Sequence, residues 1–200
     1  PTRVPLFHLI ALALVAVGAG MDSQSTMDTR PAQMMLSQGM IACAGSLFLA
    51  PAMMRGLMSA LARGPNYILS FIIVFVSTQS LGAVIGSGMF TTFINHRQAL
   101  HLQVMREELT AADPMTLQAI AHRAASLAPQ ITDAATRKAQ ALALIAQDAS
   151  SQAYVMAYND AYFLTAMVAL AALAALILHI FRDWLAARLT RPATSSPESV

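Results

Sequence analysis

The segment 77–88, STQSLGAVIGSG, places hydrogen-bonding side chains and glycines inside a long apolar run. Gly82 and Gly86 are four residues apart, and with Ala83 they flatten one helix face so that another backbone can approach. Gln79 lies about one turn earlier and can form a hydrogen bond to a second helix, worth on the order of 0.6–2 kcal/mol in a membrane. The chemistry predicted for this segment is helix packing, through Gln79, Gly82, Ala83 and Gly86.

Other interpretations of this face stay open, because four-spaced glycines occur in membrane helices of many functions. In one of them the face also lines a path for a transported molecule or moves during a transport cycle. In another, the glycines bring two copies of the chain together.

A second group of residues is suited to binding apolar molecules. Met34 and Met35 are flexible and polarizable, and Gln38 adds a hydrogen-bonding amide to the same apolar segment. Together with Gln79 they are predicted to line a substrate path. The alternative is a methionine-rich helix that only packs against its neighbours or faces lipid.

The ionisable residues give little support for catalysis. Asp160 stands at the start of the last apolar segment, where it is interpreted as a helix cap or as an acidic group at an outer gate. His96 and His101 are five residues apart, which is the wrong spacing for one helix face, so no metal site is predicted. We find no nucleophile–base set or phosphate loop in the sequence, and we expect neither an enzyme nor a bound cofactor.

The composition indicates the solvent that surrounds the chain. Of its 200 residues, 56% are hydrophobic and 11% are charged, whereas ordinary soluble domains have about 45–50% and about 25%. A soluble fold of this size cannot hide so much apolar surface, so the lipid bilayer is the expected surrounding. The net charge is only +2, which gives no case for nucleic-acid binding.

Four apolar segments are long enough to cross the hydrocarbon core, which takes about 20 helical residues. Helices are expected because a lone segment in lipid must satisfy its own backbone. The predicted fold is therefore an all-α integral membrane protein with four transmembrane helices. Residues 1–94 hold the first three, at about 4–20, 32–54 and 67–94, and residues 159–185 hold the last. Residues 186–200 are polar and are predicted to form a disordered cytoplasmic tail.

Residues 95–158 form the long connection before the last helix. Pro114 suits the first position of a helix that Asp113 caps, and Thr132 or Asp133 can cap a second one. We expect short amphipathic helices here, on the extracytoplasmic side, the last of them able to run on into the fourth span. That side follows from the arginines, because cytoplasmic loops carry the excess of positive charge. The side of the two termini holds Arg3, Arg55, Arg63, Arg182, Arg188 and Arg191, and the short opposite loop holds Arg30.

The order of these features resembles a known family. TQSLGAVIGSGMFTTF is similar to the penultimate helix of fourteen-helix major facilitator exporters of the EmrB/QacA type, which are drug/proton antiporters. NHRQALH, a long outer loop with DP, and QAYVMAYNDAYF follow in the order found there, so that the resemblance covers essentially all 200 residues as spans eleven to fourteen. Ala83 departs from the pattern, because it replaces a second adjacent glycine.

The resemblance implies part of a major facilitator fold in the bacterial inner membrane, with cytoplasmic termini. The chain would be the C-terminal part of a multidrug exporter and would partner the missing N-terminal helices and a periplasmic membrane-fusion adaptor. Such families usually keep the proton-coupling acid in the N-terminal half. In agreement, no Asp, Glu, Lys or Arg lies in the middle of a predicted span. The alternative is a stand-alone four-span sensor or assembly subunit whose outer helical loop binds a ligand or partner.

Overall fold

The computed structural model describes residues 4–108 and 114–189, and no strand lies within those ranges. A 3-10 turn at Pro31–Met34 leads directly into the second α-helix. The α-helices are α1 (Val4–Asp22), α2 (Met35–Arg63), α3 (Asn66–Glu108), α4 (Pro114–Ser126) and α5 (Ala134–Leu189).

Four of these helices, α1, α2, α3 and α5, are long and apolar enough to cross a membrane. This confirms the number of spans, and the predicted spans fall inside these helices except for residues 32–34, which belong to the 3-10 turn. The chain is thus a helical protein of the membrane-spanning type. Yet α3 has 43 residues and α5 has 56, which at about 1.5 Å per residue gives roughly 64 and 84 Å. Both therefore extend well beyond a hydrocarbon core of about 30 Å.

The extensions of α3 and α5 form, with α4, a helical unit that we call the headpiece (residues 95–108, 114–126 and 134–158). It differs from the predicted row of short helices because α3 continues to Glu108. By contrast, α5 runs from Ala134 into the last span without a break, which agrees with the expectation that the last of these helices can continue into the fourth span. Only α4 is short, and it packs against α5. Pro114 is its first residue, as predicted, while the predicted cap Asp113 lies outside the described residues.

The predicted caps on α5 have opposite outcomes. The carboxylate Oδ2 of Asp133 accepts hydrogen bonds from the backbone N–H of Thr136, at 2.8 Å, and from its hydroxyl, which confirms Asp133 as the N-cap. The interpretation of Asp160 as a helix cap is wrong, because Asp160 lies inside a continuous helix. At its other end α5 reaches Leu189, four residues into the predicted tail, and residues 190–200 lie outside the described ranges.

Alanine provides nearly all of the buried apolar positions. Among the described residues, the buried apolar side chains are Ala11, Ala16, Ala19, Ala44, Ala60, Ile120, Ala141, Ala153, Ala157, Ala161, Ala166 and Ala169. Most leucine, isoleucine, phenylalanine and methionine side chains point outward instead. Small residues between helices and large apolar residues outside are the arrangement expected in lipid, where close backbone approach drives helix association.

The helices pack around α5. The first helix contacts both α2 and α5, α3 runs along α5, and α2 meets α3 over a shorter stretch. The chain turns between α2 and α3 at Gly64, whose φ of 125° lies in the region that glycine favours. Its N–H donates to the carbonyl oxygens of Ala60 and Leu61, so this predicted break is confirmed and ends α2.

Candidate functional site

Where the spans meet the headpiece, three nearly consecutive residues of α5 bind three other parts of the chain. Asn159, Asp160 and Tyr162 project from about one helical turn, and each forms a hydrogen bond to a different segment. We call these residues and their partners the polar cluster: Asp22, Ser25, Ser37, Gln38, Arg97, His101, Asn159, Asp160 and Tyr162.

The first part of the cluster joins α5 to α3. Oδ2 of Asp160 accepts a hydrogen bond from Nε of Arg97 at 2.6 Å and lies 2.7 Å from Nε2 of His101. Arg97 and His101 are four residues apart, so they occupy one face of α3. That face exists because α3 continues past residue 94 as a helix. The carboxylate of Asp160 is about one-third exposed, so the interaction is an ion pair at the rim of the helix contact.

The second part joins α1, α2 and α5. Ser37 and Gln38, at the start of α2, bind the two carboxylate oxygens of Asp22, the last residue of α1. Gln38 Nε2 lies 2.6 Å from Asp22 Oδ2 and 3.0 Å from the hydroxyl of Tyr162. Asp22 is 2% exposed. Among the described residues, no arginine, lysine or histidine forms an ion pair with it.

The third part joins α5 to the connection between α1 and α2. Nδ2 of Asn159 donates to the backbone oxygen of Ser25 at 2.7 Å. Two small cavities open beside this contact. One, of about 220 Å³, borders Asp22, Thr29 and Gln33, and the other, of about 290 Å³, borders Asn159 and Tyr162.

The cluster concentrates the polar contacts at one end of the spans. Every hydrogen bond described between side chains of different helices lies in it or in the headpiece, where Arg123 pairs with Asp148. At the other end, the described contact between α1 and α2 is the stacking of His8 on Phe48, with ring centroids 5.3 Å apart. The spans are therefore held together by hydrogen bonds at the headpiece end.

The residues predicted to pack helices lie on an open surface. A Cβ atom added at Gly82 or Gly86 would meet nothing within 4 Å, and Gln79 and Ala83 are exposed. None of the described residues forms a hydrogen bond with the Gln79 side chain. Close glycine contacts occur on α1 and α2 instead. A Cβ at Gly18 would lie 2.8 Å from the backbone oxygen of Ser37, and a Cβ at Gly56 would clash with the ring of Phe71. Packing through Gln79, Gly82, Ala83 and Gly86 stays a prediction about helices other than those described.

The residues predicted to line a substrate path do not lie together. Gln38 belongs to the polar cluster, and Met34 borders both small cavities beside it. Met35 is 74% exposed on the outside of α2, and Gln79 lies on the open face of α3. A shared path through all four residues therefore stays a prediction.

The sequence analysis missed Arg97, His101 and Asp22. The signal for the first two was their four-residue spacing, which matters only if the helix continues beyond the predicted span. Asp22 follows the predicted first span, which ends at about residue 20, and its burial against α2 could not be inferred from that position. Within residues 4–108 and 114–189, no group of three His, Cys, Asp or Glu side chains is arranged to hold a metal ion.

Comparison of the chain with protein-family models, with curated proteins and with solved structures finds no match. The described residues thus define a helical protein with four helices long and apolar enough to cross a membrane, and with a cluster of ionisable residues at one end of them.

Proposed function

We propose that this chain is the C-terminal part of a secondary multidrug exporter of the major facilitator type. It moves amphipathic compounds out of the bacterial cytoplasm in exchange for protons. The termini lie in the cytoplasm and the headpiece lies in the periplasm, where it offers a surface for a membrane-fusion adaptor. The order of the sequence features and their resemblance to exporter spans eleven to fourteen support this proposal.

The observation that carries the proposal is the polar cluster. Ionisable residues in membrane helices are costly, and they mark substrate and ion pathways. Here Asp22, Arg97, His101 and Asp160 gather at the headpiece end, while residues 67–94 and 161–178 carry no ionisable side chain except Tyr67 and the cluster's Tyr162. An exporter needs a gate on that side, which must close during substrate binding and open for release.

The cluster has the chemistry of such a gate. Its closed form joins α5 to α2, to α3 and to the connection between α1 and α2 by hydrogen bonds, each of which can break and form again. Opening separates Asp160 from Arg97 and Tyr162 from Gln38. Each of these groups then finds water in the opened pathway, so that the cost of opening stays small compared with that of separating them in lipid.

The exposed face of α3 also favours a larger assembly. Gln79 lies in the most apolar part of that helix, and an amide that faces lipid has no hydrogen-bonding partner. Further transmembrane helices that cover Gln79, Gly82 and Gly86 remove this cost. In the exporter, the N-terminal helices of the same transporter take that place.

Deletion of the complete gene tests the proposal. We expect greater susceptibility to amphipathic drugs and slower efflux of ethidium, both restored by the wild-type gene. Asp160→Asn, which leaves Arg97 and His101 without a carboxylate, should slow efflux several-fold. The matched control is Asp183→Asn, at the far end of the same helix, where the carboxylate is exposed. Unchanged susceptibility and efflux after gene deletion would contradict the proposal.

A second candidate function is ligand binding by the headpiece of a four-span sensor. The observation that favours it is a groove of about 720 Å³ between α3, α4 and α5, a volume within the usual range of ligand sites. Met105, Met115 and Met156 line it, and methionine adapts to many apolar partners. In this case gene deletion leaves efflux unchanged. An amphipathic dye binds the wild type but not Met105→Gln/Met156→Gln, and Met27→Gln, outside the groove, serves as control.

A further inference from the structure

We propose that Asp22 is a proton-binding group, whose carboxyl takes up a proton in one state of the protein and releases it in another. The role of this proton, which is to couple proton entry to export, rests on the proposed function. The binding of the proton itself rests on the contacts of Asp22. Asp22 is also an ionisable acid buried between helices, which the apolar spans otherwise lack.

The hydrogen atoms at Asp22 can be counted. The hydroxyl of Ser37 has one hydrogen but lies within hydrogen-bond distance of two acceptors, Asp22 Oδ1 and the backbone oxygen of Met34, the latter at 2.9 Å. If Asp22 is ionised, one of these two contacts lacks a full hydrogen bond. If Oδ1 carries a proton, it donates to Ser37 Oγ, and Ser37 in turn donates to Met34.

The contacts of Asp22 Oδ2 are also consistent with a proton on Oδ1. The amide nitrogen of Gln38 has two hydrogens, one for Asp22 Oδ2 and one for the hydroxyl of Tyr162. Protonation at Oδ1 therefore leaves every contact of the two carboxyl oxygens with one donor and one acceptor. On release of the proton, the Ser37 hydroxyl turns its hydrogen from Met34 to Asp22.

Asp22 is a buried carboxyl without an opposite charge. It is 2% exposed, and a buried charge without an opposite charge is costly. As the last residue of α1, Asp22 lies at the negative end of that helix dipole, while Ser37 and Gln38 hold it at the positive end of α2, so the two dipoles offset each other. The nearby cations Arg97 and His101 are bound to Asp160. Asp28 and Arg30, in the short connection, are exposed and form no ion pair with Asp22.

A route for the proton lies beside the residue. The cavity of about 220 Å³ borders Asp22, Ser25, Thr29 and Gln33, all of which carry oxygen atoms that can bind water. It lies at the headpiece end, on the proposed periplasmic side. Protons therefore reach Asp22 from the compartment that drives export, without crossing the apolar part of the spans.

Infrared difference spectroscopy of the complete protein in lipid, between acidic and alkaline pH, tests the protonation. We expect the wild type to show a carboxylic-acid carbonyl band that Asp22→Asn lacks and that Asp28→Asn retains. If Asp22→Asn does not fold, Ser37→Ala serves instead. It keeps the acid and should shift this band, because the hydrogen bond of the proton is lost. Identical bands in the wild type and either Asp22→Asn or Ser37→Ala would overturn the proposal.

Transport in proteoliposomes tests the coupling. Asp22→Asn should lose uphill transport driven by a pH gradient but retain downhill substrate exchange, and Asp28→Asn should behave as the wild type. Uphill transport by Asp22→Asn at the wild-type rate would overturn the coupling role. The two assays separate the proposals: a wild type with the Asp22 band but without transport contradicts the export function alone. Transport without the band contradicts the role of Asp22 alone.

Discussion

Glycines in two of the spans have opposite surroundings. Gly18 on α1 lies against the start of α2, where an added Cβ would be 2.8 Å from the Ser37 carbonyl oxygen and 2.9 Å from Ile41. Gly82 and Gly86 on α3 show the better-known four-residue spacing, yet they face open space. A small-residue pattern thus shows that a backbone can approach a helix, but it does not show which helix approaches it.

The different surroundings of these glycines follow from the positions of α1 and α3. The first helix is enclosed by α2 and α5, and its C-terminal end carries Asp22, bound to Ser37 and Gln38. The close approach at Gly18 brings the start of α2 near enough for these hydrogen bonds. By contrast, α3 forms hydrogen bonds to α5 through Arg97 and His101, beyond its apolar part, and the face that carries Gly82 and Gly86 has no described neighbour.

The largest expected effect is that of Gly18→Leu. The atom that its side chain meets is a backbone oxygen, which cannot move without shifting α2, and such overpacking costs about 1–3 kcal/mol. The free energy of unfolding in mixed micelles measures the loss. Gly20→Leu, two residues later with nothing within 4 Å of its added Cβ, is the control and should unfold as the wild type. Equal stabilities of the two variants would remove the distinction between the buried and the open glycines.

Gly82→Leu sharpens the comparison because its effect depends on the assembly. In the 200-residue chain expressed alone, its side chain meets no described neighbour and should leave the free energy of unfolding unchanged. In the complete exporter that we propose, it should cost about 1–3 kcal/mol and lower efflux, because the proposal places a further helix on this face. Gly88→Leu, on another side of α3, is the control. The proposed helix contact is ruled out if Gly82→Leu behaves as the wild type both in the 200-residue chain and in the complete protein.

Gln79→Leu has a smaller expected effect of the same kind. It removes one interhelical hydrogen bond, worth about 0.6–2 kcal/mol, from the complete exporter. Folding yield and ethidium efflux measure it. Thr78→Val is a suitable control, since the Thr78 hydroxyl donates to Val74 of its own helix at 2.8 Å. Wild-type yield and efflux for Gln79→Leu would show that its amide has no partner.

The smallest expected effect concerns Asp133, which caps the headpiece end of α5. The hydroxyl and the backbone N–H of Thr136 lower the pKa of this carboxyl below its ordinary value. Its contribution to the first turn of α5 is therefore present above the ordinary pKa and is lost as the pH falls through the lowered one.

Amide hydrogen exchange at residues 134–137, corrected for its intrinsic pH dependence, measures this contribution. Protection should fall with acidification in the wild type and be low at both pH values in Asp133→Ala. Thr132→Ala, the rival cap in the sequence, should match the wild type. A loss of protection in Thr132→Ala but not in Asp133→Ala would reverse the assignment of the cap.

The spans could be predicted from the sequence because hydropathy reports directly on transfer into lipid. The ends of the helices could not, since polar residues 95–108 and 134–158 continue the helices without a break that composition reveals. Asp160 and Gln38 were singled out as polar residues next to apolar segments. Their partners were not predicted: Arg97 is 63 residues from Asp160 and Tyr162 is 124 from Gln38, so no local spacing connects them.

The unbroken course of α5 links the length of the headpiece to its orientation. One residue inserted just before Asn159 would turn the headpiece part of the helix by about 100° relative to the spans. Ile145 and Gln152, which line the groove, would then face away from α3. An insertion of seven residues would restore the facing to within about 20° and carry that part about 10 Å farther from the membrane. Natural changes of length in this helix should therefore come in steps of about seven residues.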